Sequence, residues 1–134
     1  MIRKTIATAA LVLASTGITA VPASADVVAC EATYTVTSAW NDTRDTVSLG
    51  HVTVKNTGTT TIKGWRVSWR YTDGSTITTV WGAVSLPVVA VVGAYAFGNE
   101  SYNGVLPSGG STVFGFAGRL GGGRAPEVTC RPVV

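Results

Sequence analysis

The sequence predicts an all-β fold, a two-sheet antiparallel β-sandwich of the immunoglobulin-like or jelly-roll type. Short segments alternate apolar and polar residues with a period of two, and no segment has the periodicity of a helix. Glycine and proline, 16 and 5 of the 134 residues, separate these segments at intervals that suit turns between short strands. Two cysteines near the ends of the alternating region offer a way to close such a sandwich.

Residues 1–25 have the features of a secretory signal peptide. Arg3-Lys4 gives a positive start, Thr5 to Val21 is rich in Ala, Leu and Val, and Ala23-Ser24-Ala25 matches the cleavage pattern. We therefore expect a secreted, extracellular product with one domain over residues 26–134. Because no stop-transfer segment follows, we expect no membrane partner.

Cys30 and Cys130 bracket nearly the whole of this domain. A secretory leader implies an oxidising compartment, in which a disulfide linking the first and last strands is the expected state. A metal pair or a reactive thiol is disfavoured because neither cysteine has a second Cys or a His nearby in sequence. The sequence thus predicts no metal and no cofactor.

The charge pattern argues against a nucleic-acid partner. Loss of the two basic leader residues lowers the formal net charge from +3 to +1. Phosphate binding normally needs a basic patch, whereas the remaining basic residues are scattered along the sequence. They are Arg44, Lys55, Lys63, Arg66, Arg70, Arg119, Arg124 and Arg131.

The first half of the domain predicts two strands and a loop. Cys30 to Val36 alternates apolar residues with Thr and Glu, which indicates a half-buried strand. Ser38 to Asp45 is predicted to be a polar loop, and Trp40 is its one large apolar residue. Val47 to Lys55 is the second strand, with a bulge expected at Gly50, where the apolar parity changes.

The alternation is strongest from Trp65 to Tyr71, where four large apolar residues share one face and are expected in the core. Asp73-Gly74 is expected to close a hairpin into the next strand, Ser75 to Trp81. Strict alternation would place Trp81 on the same face as Ile77. Gly82, directly after it, can break that parity, so the pattern leaves the direction of the indole open.

The second half of the domain has an apolar segment from Val84 to Phe97, interrupted by a proline and a glycine. We expect a loop and a strand packed on the sandwich with Tyr95 and Phe97 inward; an exposed Val88 to Val92 would form a patch for a partner. In a later strand, Gly115 and Gly118 remove side chains where another backbone or sheet must come close.

Tyr102 stands in a polar turn, so its ring is expected to face water. The alternative is a tyrosine folded over the sandwich edge.

A catalytic function is disfavoured. Glycoside hydrolysis usually needs two carboxyl groups that face each other across a cleft, and a domain of this size has little room for one. His51 has no Asp, Ser or Cys partner at a suggestive spacing and is expected on a sheet face rather than in a catalytic site. The acidic residues, mostly in turns or at strand ends, are Asp26, Glu31, Asp42, Asp45, Asp73, Glu100 and Glu127.

The remaining feature is a set of aromatic residues outside the predicted core, on which the apolar faces of sugar rings can stack. Several motifs in order resemble those of the family 2 carbohydrate-binding modules, and the resemblance covers essentially residues 26–134. The motifs are Cys30, Ala39-Trp40-Asn41, Val52-Thr-Val54-Lys-Asn56-Thr-Gly58, Gly64-Trp65-x-Val67-x-Trp69, Trp81, Tyr102-Asn103-Gly104, Gly109-Gly-Ser-Thr-x-Phe114-Gly115-Phe116-x-Gly118 and Cys130.

This resemblance implies a two-sheet β-sandwich that binds insoluble polysaccharide without catalysis, cellulose first and chitin or xylan next. It places the carbohydrate-binding residues at Trp40, Trp81, Tyr102 and the adjacent Asn103, and a buried tryptophan at Trp65. The family usually has a shorter turn after the first of these aromatics than Asp42 to Val47.

We expect a monomer that acts alone or with a separate secreted glycoside hydrolase. Two alternatives are a small-molecule carrier or inhibitor on the same scaffold and a module with residual hydrolase activity.

Overall fold

The computed structural model describes residues 25–42 and 45–134. The predicted signal peptide, apart from Ala25, and residues Thr43 and Arg44 lie outside the described residues. The described chain forms eight strands. They are β1 (Cys30–Asn41), β2 (Thr46–Asn56), β3 (Gly64–Arg70), β4 (Thr76–Trp81), β5 (Ala83–Ser85), β6 (Ala94–Asn99), β7 (Ser111–Leu120) and β8 (Thr129–Val133).

The strands form two four-stranded sheets, which confirms the predicted sandwich. The first sheet has the order β1-β2-β7-β4 and the second has the order β5-β6-β3-β8. Every strand pair is antiparallel. Each sheet therefore presents one face to the core between them and one face outward.

The core is built from aromatic rings of both sheets. The stripe predicted from Trp65 to Tyr71 is confirmed, since its four large residues are all buried. Trp65 stacks on Phe114 of the first sheet with ring centroids 5.5 Å apart. Phe97 of β6 packs on the Phe114 ring with centroids 5.6 Å apart. Replacing one such ring by Ala typically costs about 3–5 kcal/mol, so this core makes the two sheets a firm support.

The predicted disulfide joins Cys30 of β1 to Cys130 of β8, with Cα atoms 5.6 Å apart. Each strand is the edge of its own sheet. The bond thus links the two sheets as well as the two ends of the domain.

The polar loop expected from Ser38 to Asp45 is wrong for its first half. β1 continues through Trp40, which pairs with Val47, because a shift in register between Val36 and Ser38 lets the strand keep pairing with β2. The turn itself is short, and the amide of Asp42 donates to the Asp45 carbonyl at 2.8 Å. The connection after Trp40 is therefore shorter than Asp42 to Val47.

The bulge expected at Gly50 is also wrong. β2 pairs with β7 without a shift, and Gly50 takes an inward position in the regular alternation. A Cβ there would collide with the Phe116 ring. A glycine is needed here because the Phe116 ring occupies the space that a side chain would fill. Val47 and Leu49, which alternate with the inward residues of the strand, point outward.

Asp73-Gly74 does not close a hairpin. It leads from β3 in the second sheet to β4 in the first. The Asp73 carboxylate accepts hydrogen bonds from the amides of Ser75 at 2.9 Å and Gly123 at 2.8 Å, and Gly74 has a φ of 84°. The residues make the predicted turn, but turn chemistry does not specify which sheet the next strand joins.

Candidate functional site

The outer surface of the first sheet carries exposed aromatic side chains. On β7, Phe114 and Phe116 point into the core, so the residues that alternate with them point outward. Trp40 and Trp81 lie on the two edge strands of this sheet, β1 and β4, and are 46% and 50% exposed. Tyr102 lies in the turn after β6 and is 76% exposed. We call Trp40, Trp81 and Tyr102, with the outer surface of β2 and β7, the aromatic face.

A bulge in β4 turns Trp81 outward. Ile77 pairs with Gly118 and Thr79 pairs with the next residue of β7, Ala117, so Thr78 is an extra residue in the strand. The Thr78 hydroxyl donates to the Ala117 carbonyl at 3.1 Å. Sequence left the direction of the indole open and named Gly82 as the residue that can break the parity, and the break occurs at Thr78.

The Trp81 indole lies against the backbone of Gly115 in the neighbouring strand. A Cβ at Gly115 would collide with three atoms of this indole, Cε2, Nε1 and Cζ2. A close approach was predicted at Gly115, but it is made by the Trp81 side chain rather than by another backbone or sheet. Because the ring packs on the backbone of the neighbouring strand, the sheet fixes its orientation.

Trp40 is supported by the end of the β1–β2 hairpin. It pairs with Val47, and the Thr46 hydroxyl donates to the Asn41 side-chain oxygen at 3.1 Å. Arg119 of β7 forms an ion pair with Asp45 at 2.6 Å, which ties the turn to the sheet. Both side chains are about half exposed, so this ion pair contributes little to the free energy of unfolding.

Asn103 connects the Tyr102 turn to the Trp81 strand. Its side-chain amide donates to the Gly82 carbonyl at 2.7 Å, and its side-chain oxygen accepts from the Glu100 amide at 2.8 Å. The residue is 8% exposed. Its direct contact with carbohydrate stays a prediction, whereas the geometry makes it a positioning residue for the turn.

The buried Trp65 supports the same turn from below. Its indole N–H donates to the Asn103 carbonyl at 3.0 Å, and its amide donates to the Asn99 side-chain oxygen at 3.0 Å. A core residue thus fixes the backbone next to an exposed tyrosine. The sequence indicated that Trp65 is buried but gave no signal for this bond.

The pairing of strands gives the distance across the aromatic face. Trp40 is in register with Arg119 through β2, and Trp81 is in register with Gly115, four residues earlier in β7. Standard strand spacings place the two tryptophans about 14 Å apart across the sheet and about 13 Å apart along it. His51 pairs with Gly115 and lies on this face. Sequence predicted a sheet-face histidine without specifying the face.

The outer surface of the second sheet is different in character. The basic residues are scattered in sequence, but strand pairing brings three arginines together around one groove of about 640 Å³. We call it the basic groove. The side chains that define it are Arg66, Ser68, Arg70, Glu127, Thr129 and Arg131.

Two of the carboxylates have structural partners. Asp45 pairs with Arg119. Hydrogen bonds from Ser75, with a further bond from the Gly123 amide, hold the pKa of Asp73 below its ordinary value. In the part of the chain that the structure describes, no three His, Cys, Asp or Glu side chains group in a way that could hold a metal ion.

Burial raises the pKa of the Tyr71 and Tyr34 hydroxyls, which share a hydrogen bond of 2.8 Å. The pair lies between the sheets near the core and stays protonated at neutral pH.

Residues 25–42 and 45–134 include no helix with the length and apolar character needed to cross a bilayer.

A disulfide-linked β-sandwich with exposed aromatics on one sheet is the architecture of a surface-binding module rather than of a pocket enzyme. The sequence model of the family described as "Cellulose binding domain" matches residues 30–131. This chain belongs to that family, the family 2 carbohydrate-binding modules.

Characterised relatives agree with this assignment. Endoglucanase A of Thermobispora bispora is 41% identical over 103 residues, which cover 76% of this chain and 21% of the endoglucanase. The chain spans about a fifth of the length of the curated relatives it matches.

Two solved structures have the same fold. The cellulose-binding family 2 carbohydrate binding domain of ScLPMO10C is 30% identical with a TM-score of 0.59, over 79% of this chain and 98% of that one. The chitin-binding domain of Chi18aC from Streptomyces coelicolor is 32% identical with a TM-score of 0.56, over 74% of this chain and 89% of that one.

Proposed function

We propose that this protein binds insoluble β-linked polysaccharide on its aromatic face, cellulose first and chitin or xylan next. The observation that carries the proposal is the half-exposed Trp81 indole, held flat against Gly115 by a bulge that turns it out of the core. A large apolar ring kept in water by the fold costs free energy unless a ligand covers it. The apolar face of a sugar ring is a suitable cover.

The spacing of the aromatic residues favours an extended chain over a single sugar. Trp40 and Trp81 lie at opposite edges of the sheet, so one small sugar cannot cover both. A polymer that runs across the sheet can stack on both rings, with Tyr102 beside Trp81 as a third contact. Because the aromatic side chains lie on an open outer surface and not in a cleft, the surface suits a flat or crystalline polymer.

The relatives are consistent with this choice of polymers. The domain of ScLPMO10C is named for cellulose, the domain of Chi18aC is named for chitin, and Endoglucanase A is named for a glucan. We place cellulose first because three exposed aromatic side chains, two on the sheet and one in a turn, suit a flat array of chains.

We further propose that the protein is secreted after removal of residues 1–25, is a monomer and has no catalytic activity of its own. Secretion would deliver it to polysaccharide outside the cell, where a separate glycoside hydrolase acting on the same polymer is the partner that fits. No nucleic acid, membrane, metal or cofactor has a part in this proposal.

Co-sedimentation with microcrystalline cellulose, chitin and insoluble xylan tests the proposal. We expect the mature protein to sediment with cellulose and chitin, and Trp81→Ala and Trp40→Ala to fold normally but bind at least about tenfold more weakly. Arg124→Gln, a surface change outside the aromatic face, is the control and should bind like the wild type. If Trp81→Ala sediments as the wild type does, the aromatic face is not the binding surface.

The carrier or inhibitor alternative depended on an exposed Val88 to Val92, and this segment is exposed, with Val89 at 82% and Val92 at 87%. It borders the basic groove rather than an enclosed cavity for a small apolar molecule. Retention of a small apolar ligand by the Trp81→Ala variant, with no polysaccharide binding by the wild type, would favour the carrier.

A further inference from the structure

We propose that the basic groove is a second binding site, which takes a carboxylate-bearing sugar, that is, a uronic acid residue of a glycan. The groove lies on the outer surface of the second sheet, whereas the aromatic face lies on the first. Its carboxylate preference does not depend on the function proposed above. The choice of a sugar as the carrier of that carboxylate does rest on it.

Arg66 and Arg131 lie directly opposite each other on β3 and β8. Like charges in this position destabilise a sheet unless an anion offsets them. Among residues 25–42 and 45–134, the one ion pair closer than 4 Å is that between Arg119 and Asp45, so neither of the opposed arginines has a carboxylate partner there. An anion bound between them would relieve this repulsion.

Two of the arginines are held in place by the loop between β5 and β6. Arg66 Nη2 donates to the Pro87 carbonyl at 3.3 Å, and Arg70 Nε donates to the Val92 carbonyl at 3.2 Å. Each bond uses one of the five N–H donors of a guanidinium group. The remaining donors keep the fork geometry that fits a carboxylate with two parallel hydrogen bonds.

The space between the arginines suits a sugar. Ser68 lies two residues from both Arg66 and Arg70 and pairs with Thr129, so two hydroxyl groups stand beside the charges. The small side chains of Ala94 and Ala96 line the groove on the β6 side, and its volume is in the range of small-ligand sites. Hydroxyls can bond the sugar ring while guanidinium groups bond its carboxylate.

Glu127 reduces the positive charge of the groove. Three arginines and one glutamate give the lining a net charge of +2, so the groove attracts an anion. The Glu127 carboxylate repels a bound carboxylate, and its removal should therefore strengthen binding.

Because the two sites are on opposite sheets, they can be filled at the same time. A neutral polymer on the aromatic face would leave the groove open to an acidic chain. The protein would then hold two different glycans together, which a single face cannot do.

Calorimetric titration with a linear trisaccharide of galacturonic acid tests this site, with the fully methyl-esterified trisaccharide as the neutral probe. We expect the acid to bind the mature protein at low salt at least about tenfold more tightly than the ester, and more weakly at about 0.15 M salt. Arg131→Gln and Arg66→Gln should each weaken binding of the acid about fivefold or more. Glu127→Gln should strengthen it, a gain that misfolding cannot produce.

Arg119→Gln, which removes an arginine of the first sheet, is the matched control and should leave binding unchanged. Trp81→Ala should also leave it unchanged, even if that variant loses all affinity for cellulose, which separates this test from that of the aromatic face. Equal binding of acid and ester, equal losses in Arg119→Gln and Arg131→Gln, or tighter binding of a glutamate tripeptide than of the trisaccharide would each overturn the proposal.

Discussion

At the scale of single residues, Gly115 is as important to the aromatic face as the tryptophan it supports. Its φ is not positive, so the backbone accepts alanine, and any effect of the change comes from the ring above it. We expect Gly115→Ala to fold, to lift the Trp81 indole from the sheet and to weaken cellulose binding about tenfold. Binding isotherms on microcrystalline cellulose measure this, with Ala117→Ser on the same surface as the control.

A double variant checks that the effect passes through the ring. In a Trp81→Ala background, Gly115→Ala should cause no further loss, because the side chain it displaces is gone. A second, additive loss would mean that Gly115 acts by another route.

Sequence predicted the environment of most aromatic residues but not of Trp81. The period of two identified Trp65 and Trp69 as core, and both are buried. The same rule fails at Trp81, because Thr78 is an extra residue in β4 that has no partner in β7. The pattern of apolar residues in the sequence does not reveal such a bulge. Asn103 was proposed by resemblance alone, and its contact with carbohydrate stays a prediction. Its two hydrogen bonds depend on a turn that sequence does not position.

At the scale of elements, the bulge at Thr78 predicts that a single-residue deletion in β4 is tolerated better than a deletion of two residues. Without Thr78, strict alternation still places Ile77 inward and Trp81 outward, so this deletion should retain cellulose binding within about threefold. Deletion of both Thr78 and Thr79 changes the parity and turns Trp81 inward, so binding should be lost. Sedimentation of the two variants with cellulose tests this, and loss in the single deletion with retention in the double one would contradict it.

The turn at Asp73 should give part of the stability a pH dependence. Hydrogen bonds to its carboxylate lower its pKa in the folded state, so its stabilising effect is present above the ordinary pKa of an aspartate, about 4. This effect is lost as the pH falls through the lowered folded value.

The melting temperature of the wild type should therefore exceed that of Asp73→Asn at pH 7, and the difference should shrink below about pH 4. Calorimetric melts over this pH range measure it, with Asp26→Asn as the control. A difference that is constant with pH would show that the charge of Asp73 has no part in holding the turn.

The elements also show where turn signals stop being informative. Asp73 and Gly74 were correctly predicted to form a turn, yet the chain crosses between sheets there, because β4 pairs with β7, a strand of the first sheet that is distant in sequence. Gly50 was predicted to form a bulge, but it lies in a regular part of the strand and makes a close approach instead. A glycine in a strand signals either a bulge or a close approach, and only the position of Phe116 distinguishes them.

At the scale of the whole molecule, sequence predicted the two-sheet sandwich and its disulfide, while the assignment of strands to sheets needed the structure. Alternation shows that a strand has one buried face, but both sheets bury such a face. The gathering of Arg66, Arg70 and Arg131 follows from that assignment, since β3 and β8 are neighbours only in the folded chain.

The disulfide between Cys30 and Cys130 should supply a large share of the stability while leaving the aromatic face unchanged. It closes a loop with a sequence separation of 100 residues, for which chain entropy gives about 4–5 kcal/mol at 25 °C. For a domain of this size, that loss lowers the melting temperature by about 20 °C. The bond joins the starts of β1 and β8, and Trp81 and Tyr102 are held by separate contacts with Gly115, Asn103 and Trp65.

A Cys30→Ser, Cys130→Ser double variant should thus melt at a much lower temperature yet bind cellulose normally in the cold. Scanning calorimetry and sedimentation at low temperature measure the two effects, and an unchanged melt, or binding lost in a variant that is still folded, would contradict this division between scaffold and face.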